Sequence, residues 1–374
     1  MANEFFSATY AQARARFAAA ARAAGVAVTS HLIPGIAGRE GEELATDVVR
    51  LGAPRTRRLL ILTSGTHGVE GFCGSAAQIA LLGDAGLQAR LAVADVAILV
   101  VHAINPYGFS WLSRTNEDNV DLNRNSIDFT QPLPANDAYA DLHALLVPPT
   151  WPPSDDNVAA ITHHIAAHGE PAYQRALTLG QYRFADGLFY GGRAPVASTR
   201  LMGALIHDHA QACDAVGWID FHTGLGPPGH GEKISVGRVD TAELRRARAW
   251  WGADLASPVD GTTVASNVGG PLLDTLRFAC PDAQVTAMAI EFGTVPLIDM
   301  LHMLRADAWL RQHPDAPAAQ AAAIRAAVRA AFCFEDPIWQ GQILGQARVA
   351  ILQAVTGLGR GAVDQGPRRA SSNQ

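Results

Sequence analysis

Residues 59–71 read LLILTSGTHGVEG, and the rest of the chain is best read outward from them. Leu59, Leu60, Ile61 and Leu62 form an unbroken apolar run bounded by turn-forming residues, which predicts a buried strand. Gly65, Gly68 and Gly71 then crowd one short segment, and glycine's conformational freedom favours a loop over further pleating. His67 and Glu70 therefore stand three residues apart just beyond the C-terminal end of a strand, where open α/β sheets gather their ligands. An imidazole nitrogen and a carboxylate oxygen give a divalent ion two donors. A catalytic zinc needs a third protein ligand and keeps one position open. A His-x-x-Glu pair alone is a weak signal, so the third ligand has to come from elsewhere in the chain.

Upstream, residues 4–24 predict an Ala/Arg helix anchored by Phe5, Tyr10 and Phe17. Residues 26–33 and 44–51 read as partner strands, joined by a turn over 34–41. Downstream, 72–82 is a small-residue helix closed by Gly83. Residues 96–101 are continuously apolar, as expected of a parallel strand covered on both faces. That strand runs into Asn105-Pro106-Tyr107-Gly108 and then a polar segment over 111–125. Residues 131–178 are Pro-rich and then helical, an excursion over the surface, and 180–192 form a glycine-bracketed loop. An amphipathic helix is expected over 199–216, a strand over 217–221, and another over 284–290 that ends at Glu291. The chain then turns mostly helical, and 360–374 reads as a disordered tail. Apolar strands alternating with helices predict one domain over 1–359. The expected fold class is α/β: a three-layer α/β/α sandwich around a mixed, mainly parallel sheet.

Composition narrows the function classes. Of 374 residues, 48% are hydrophobic and only 17% charged, enough apolar material for a large core. A net charge of −6 offers no basic footprint for nucleic acid. No apolar run reaches the roughly 18 residues of a membrane span. The N-terminus lacks the order of a signal peptide, since Glu4 comes early and arginines interrupt the alanines. Cys73, Cys213, Cys280 and Cys333 are widely spaced without a Cys-x-x-Cys, so reduced, buried thiols in a cytoplasmic protein are expected.

Four strand ends deliver polar groups into loops: His67/Glu70, Asn105 with the 114–124 segment, Asp220/His222, and Glu291. In this order the chain resembles the zinc carboxypeptidase superfamily, over roughly residues 59–294. The matching pieces are His67-Gly-Val-Glu70, Asn105-Pro-Tyr-Gly108, Arg114, Asp121-Leu-Asn-Arg-Asn125, Asp220-Phe-His222 and Ile290-Glu291-Phe-Gly293. Each is weak alone, and their shared order is specific. The wording SGTHGVEG, GLFYGG and IDFHTGLG is similar to an uncharacterised bacterial branch, with Asp-x-His-Thr-Gly phrasing shared by the succinylglutamate desuccinylase and aspartoacylase branch.

The resemblance implies one Zn2+ per chain on His67, Glu70 and His222, with Glu291 as general base and Arg114 stabilising the oxyanion. It also implies that Asn123 and Arg124 clamp a free substrate carboxylate. Those roles suit the residue types: zinc acidifies water, a carboxylate shuttles protons, and a guanidinium stays charged throughout and forks onto carboxylates. Asp220, two residues before His222, points to the same strand face and is expected to orient a ligand or solvent network. The family's mobile substrate tyrosine has no clear counterpart, and Tyr190 and Tyr182 are the candidates. Simpler readings compete at every position, because a strand-end histidine is often only hydrogen-bonded and a loop carboxylate only solvated. His163, His164 and His168 fit a solvated helix face, and His230 with Glu232 a surface loop. No His-Glu-x-x-His, Gly-x-Ser-x-Gly or Gly-Lys-Ser/Thr occurs, which removes thermolysin-like, serine-hydrolase-elbow and P-loop chemistry.

The expected activity is zinc-dependent hydrolysis of an amide next to a free carboxylate. The substrate would be a small peptide in a carboxypeptidase-like reaction, or an N-acyl amino acid in a deacylase reaction. A non-catalytic metal-binding protein is the reading from another class, and the intact Glu291 argues against it. No nucleic acid or membrane partner is expected, and a homo-oligomer is possible because small-residue helices such as 72–82 can pack against a second subunit.

Overall fold

In the computed structural model, residues 2–235, 241–258, 261–263 and 268–360 are described. The expected tail therefore lies, from residue 361, outside the described residues.

Seven strands form one sheet: β1 (Thr29–Ala37), β2 (Glu43–Leu51), β3 (Arg58–Ser64), β4 (Ala97–His102), β5 (Ala215–Gly224), β6 (Gly231–Ser235) and β7 (Gln284–Gly293). Their spatial order is β1-β2-β4-β3-β5-β7-β6. The central four, β4-β3-β5-β7, run parallel, and antiparallel strands flank them on both sides. The apolar runs explain that arrangement, because parallel strands are covered on both faces. Along β3, Leu60 and Leu62 enter one core layer while Leu59 and Ile61 enter the opposite one. The first layer packs on helices Tyr10–Ala23, Gly71–Leu82, Leu297–Gln312, Ala318–Phe332 and Pro337–Gly359. The second packs on Ala197–Ala210 and Asp274–Ala279. This is the α/β/α sandwich the sequence predicts.

Several boundaries differ. The first helix starts at Tyr10, where the Thr9 hydroxyl accepts the Gln12 N–H at 3.2 Å and caps it. Tyr10, Ala13, Phe17 and Ala21 form its buried stripe, while Phe5 lies outside the helix. Strand β1 runs through Pro34 and Gly35, which the sequence placed in a turn, and reverses only at Gly38–Gly41. It is an edge strand with mostly exposed side chains, the setting in which a proline without an N–H is tolerated. The helix expected over 199–216 is Ala197–Ala210, and β5 begins at Ala215. Residues 137–178 contain three helices, Asp137–Leu146, Asp155–His168 and Glu170–Thr178. Among the described residues, no helix is long and apolar enough to cross a membrane.

Candidate metal centre

Two loops at the C-terminal edge of the sheet have to touch for the site to form, and two glycines allow it. A Cβ on Gly68 would come within 2.0 Å of the Gly108 carbonyl carbon, so neither backbone could approach with a side chain between them. At that crossing the Gly68 and Val69 N–H groups donate to the Arg114 and Ser113 carbonyls at 3.1 and 2.9 Å. The Asn105 side chain caps the short helix Pro106–Trp111, accepting the Gly108 N–H at 2.9 Å, and reaches the Arg114 carbonyl at 3.4 Å. The Asn-Pro-x-Gly motif is thus the brace that sets Arg114 beside His67. Asp307 braces the same segment from helix Leu297–Gln312, accepting the Arg114 N–H at 3.0 Å and the Ser113 hydroxyl at 2.8 Å. Sequence reading gave Asp307 no role, because its partners lie almost two hundred residues away.

His67, Glu70 and His222 come together, all buried, with one donor atom from each within 4.8 Å of the others. His67 Nδ1 lies 2.9 Å from Glu70 Oε1, and His222 Nδ1 lies 3.0 Å from Glu70 Oε2. The two Nδ1 atoms face each other at 3.2 Å. Two imidazole lone pairs and a carboxylate directed at one point form a donor set that suits zinc. The far side of each ring supports the same orientation. His222 Nε2 meets Asp220 Oδ2 at 2.7 Å, and His67 Nε2 meets Asp121 Oδ1 at 3.2 Å. A ring that ligates through Nδ1 keeps its proton on Nε2, and a carboxylate there fixes both tautomer and angle. Asp220 is itself fixed by the hydroxyls of Thr63 at 2.6 Å and Thr66 at 2.9 Å.

The charges lock one another. Burial alone would raise the Glu70 carboxyl, but His67 and His222 outweigh it and hold Glu70 ionised, well below the usual carboxylate range. Burial would lower His222, yet Asp220 and Glu70 push it well above the ordinary imidazole value. Asp121 is held low against its burial by Arg114, Arg124 and His67. The Arg114 guanidinium spans the cluster, with Nε 3.1 Å from Asp121, Nη1 3.2 Å from Glu70 and Nη2 2.8 Å from His67 Nε2.

Parallel pairing of β5 with β7 puts His222 directly beside Glu291. Glu291 is half-buried, and its Oε1 accepts the Leu225 N–H at 3.1 Å. Burial, and then the charge of Glu70, push this carboxyl up to about 7. It shares a cavity of about 970 Å3, measured out to the open mouth, with the His-Glu-His group, Arg114, Asn123 and Arg124.

The remaining expected site residues divide. Asn123 lines the cavity, and its Oδ1 accepts the Leu272 N–H at 2.9 Å. Arg124 is buried there; its two terminal nitrogens donate to the Asn123 and Thr178 carbonyls, and its Nε has no hydrogen-bond partner. Tyr190 is not part of the lining: its carbonyl accepts the Asp121 N–H at 2.8 Å, and its backbone pairs with Gln181. Tyr182 also lies outside the lining and donates its hydroxyl to the Arg124 carbonyl at 2.6 Å. Phe189, held at φ 52°, does line the cavity and lies beneath both Arg114 and Arg124 at 4.9 and 5.4 Å. His164 and His168 pack with their rings tilted 42° to each other on their helix, and His-Glu-His is the one metal-compatible group found among the described residues. His230 is exposed, as expected, whereas Glu232 belongs to β6 and pairs with Glu291.

Known structures share this architecture. The structure of thrombin activatable fibrinolysis inhibitor matches with a TM-score of 0.50 at 10% identity, covering 95% of this chain and 75% of that one. A putative metallopeptidase from Shewanella amazonensis SB2B matches with a TM-score of 0.39 at 16% identity, covering 81% and 92%. A putative succinylglutamate desuccinylase/aspartoacylase from Shewanella frigidimarina NCIMB 400 matches with a TM-score of 0.35 at 15% identity, covering 78% and 72%. At such identities the likeness concerns the fold, which is carboxypeptidase-like. No curated protein sequence matches the chain. The profile described as "Protein of unknown function (DUF2817)" spans residues 6–346, and the chain belongs to that family.

Proposed function

We propose that the chain is a zinc-dependent hydrolase that cleaves an amide bond next to a free carboxylate, in the manner of a carboxypeptidase. The observation that carries this reading is the convergence of His67 Nδ1, Glu70 and His222 Nδ1 beside Glu291. Those three residues would hold a zinc ion, which would supply polarisation of an amide carbonyl and a water acidified to a pKa of roughly 7. Glu291 takes the proton of the attacking water and hands it to the leaving amine, a task for which a carboxyl raised toward neutrality is suited. Arg114 stabilises the oxyanion. With His67 Nδ1 given to the metal, its Nε2–H would donate to Asp121, and the Arg114 Nη2 that faces Nε2 would lose that partner and be left for substrate. Arg124 and Asn123, which line the cavity, hold the free carboxylate.

A second reading, an N-acyl amino acid deacylase, is favoured by one specific observation. Gln174 and Thr178 from the excursion over 131–178, and Phe189 from the loop over 180–192, wall the cavity, which suits a small acyl amino acid. The test is metal content and hydrolysis, with wild type beside His67→Ala and Glu291→Gln, on a pooled panel of short peptides and acyl amino acids. The expected outcome is about one zinc per chain in wild type and Glu291→Gln, far less in His67→Ala, and activity only in wild type. The cleaved members then choose between peptidase and deacylase. Stoichiometric zinc without turnover would favour a binding protein, and no zinc after reconstitution would overturn the proposal.

A further inference from the structure

We infer that Asp307 and Arg311 are positioning residues for Arg114: helix Leu297–Gln312 holds the 113–117 segment in place, and turnover falls when that hold is released although no zinc ligand is touched. The consequence for turnover rests on the hydrolase reading above, while the hold itself is a property of the fold.

Arg114 needs such a hold because its own segment is irregular. The chain leaves helix Pro106–Trp111 through Leu112 at φ 58°, and the loop ends through Asn119 at φ 60°. Neither is glycine, and a non-glycine residue persists in the left-handed region only where its surroundings fix it. Two sides supply that. On one, the Arg114 carbonyl accepts the Gly68 N–H, which ties the segment to the loop between His67 and Glu70. On the other, the Arg114 N–H reaches Asp307 Oδ2 at 3.0 Å, and the same oxygen accepts the Ser113 hydroxyl at 2.8 Å. One turn along the helix, Arg311 donates to that hydroxyl at 3.3 Å and to the Asn116 and Glu117 carbonyls at 2.7 and 3.2 Å. Asp307 and Ser113 are buried, so a bond lost here leaves an unpaired group that water replaces poorly.

The same helix ties this hold to the cavity. Met300 and Leu304 line the cavity, and positions 300, 304, 307 and 311 follow the three- and four-residue spacing of one helix face. Leu304 and Asp307 also border a small pocket with Arg114 and Phe189. A cavity wall and the support behind Arg114 are thus successive turns of one element. The guanidinium is aimed by Asp121 and Glu70, starting from a backbone that Asp307 fixes. What Asp307 supplies is an acceptor. Burial pushes its carboxyl up, so the charge is disfavoured there, and an amide oxygen in the same place can accept both bonds.

The test compares wild type with Asp307→Ala, Asp307→Asn and Arg311→Ala, all as full chains loaded with zinc and assayed for zinc content first. One readout needs no substrate: the Arg114 Nε–H signal in NMR spectra of isotope-labelled arginine, identified by its absence in Arg114→Lys. In wild type it should stand apart from the signals of exposed arginines, because Nε donates to Asp121. It should broaden or move toward them in Asp307→Ala and stay in Asp307→Asn. The second readout is hydrolysis of benzoyl-Gly-Phe and N-acetyl-phenylalanine. With zinc at the wild-type level, Asp307→Ala should lower kcat by roughly 10- to 100-fold with KM little changed. Arg311→Ala should lower it less, and Asp307→Asn should recover most of the loss. Added to Arg114→Ala, Asp307→Ala should change kcat by less than about twofold, since the residue it positions is gone. A full loss in that background, a change confined to KM, or an unmoved Nε signal would overturn the inference and leave the hydrolase reading standing. Should Asp307→Ala not fold, the same criteria apply to Arg311→Ala. A chain that binds no zinc, or binds it and cleaves neither substrate, removes the hydrolase reading and the effect on turnover with it, and the Nε signal then decides the hold.

Discussion

His102 and His222 both stand at the C-terminal ends of parallel strands and are both buried, yet their surroundings make them opposites. His102 ends β4, stacks on Phe17 with ring centroids 4.5 Å apart, and bonds through Nε2 to the Ser75 hydroxyl at 2.9 Å. Its Nδ1 has no hydrogen-bond partner, and burial pushes its pKa down to about 4. His222 has a carboxylate at each nitrogen, Asp220 on one side and Glu70 on the other, and is pushed up instead. Burial acts in the same direction on both rings. What separates a core imidazole from a candidate ligand is the pair of carboxylates, Asp220 from β5 and Glu70 from the loop after β3, where the core helices bring His102 only the Ser75 hydroxyl and the Phe17 ring.

The strongest way to break the comparison is to remove the charges and watch the chemistry. Replacing Glu291 by Gln should cut kcat by about 10²–10⁴-fold with zinc retained, measured by steady-state kinetics on whichever panel member is cleaved. His222→Ala should abolish stoichiometric zinc, whereas His102→Gln should leave it at the wild-type level in the same metal assay. Loss of zinc in His102→Gln would mean the two strand ends are not distinct. A smaller effect sharpens the role of the supporting carboxylates: Asp220→Asn should weaken zinc affinity by roughly 10- to 100-fold in a chelator competition, because the ring loses its charged partner.

The last prediction concerns stability and belongs to His102. Its folded pKa lies below its unfolded value of about 6.5, so the unfolded chain takes up the proton first as pH falls. The stabilising contribution is complete above pH 6.5 and is lost progressively as pH falls through about 4. The span corresponds to about 3 kcal/mol. Denaturant titrations of metal-free protein between pH 7 and 5 should show the stabilities of wild type and His102→Gln differing with that slope, since the opposite slope from the raised Glu291 carboxyl is common to both. An unchanged slope would place the acid sensitivity elsewhere.

Strand positions and the order of polar strand ends were legible because buried parallel strands demand continuous apolar runs, and because each motif is local. Asp121 was visible as part of Asp-Leu-Asn-Arg-Asn, but its contact with His67 spans 54 residues and has no local signal. Asp307 was invisible for the same reason. Tyr190 and Tyr182 were candidates for the family's substrate tyrosine, whereas the ring beneath the two arginines is that of Phe189, next to the residue whose backbone pairs with Gln181. The turn expected over 34–41 failed because proline and glycine mark turns only where a strand needs its ladder bonds, and an exposed edge does not.

By itself the sequence determined the α/β class and the buried parallel strands, which follow from periodicity and glycine spacing, while the grouping of His67, Glu70 and His222 was implied only by the resemblance that their motif order carries. Only the tertiary structure decided which nitrogen of each histidine faces the common point, which carboxylate stands behind it, and which aromatic ring and apolar helix face close the cavity. Those outcomes depend on contacts between segments up to some two hundred residues apart, where backbone pairing and packing, not local propensity, set the direction of a side chain.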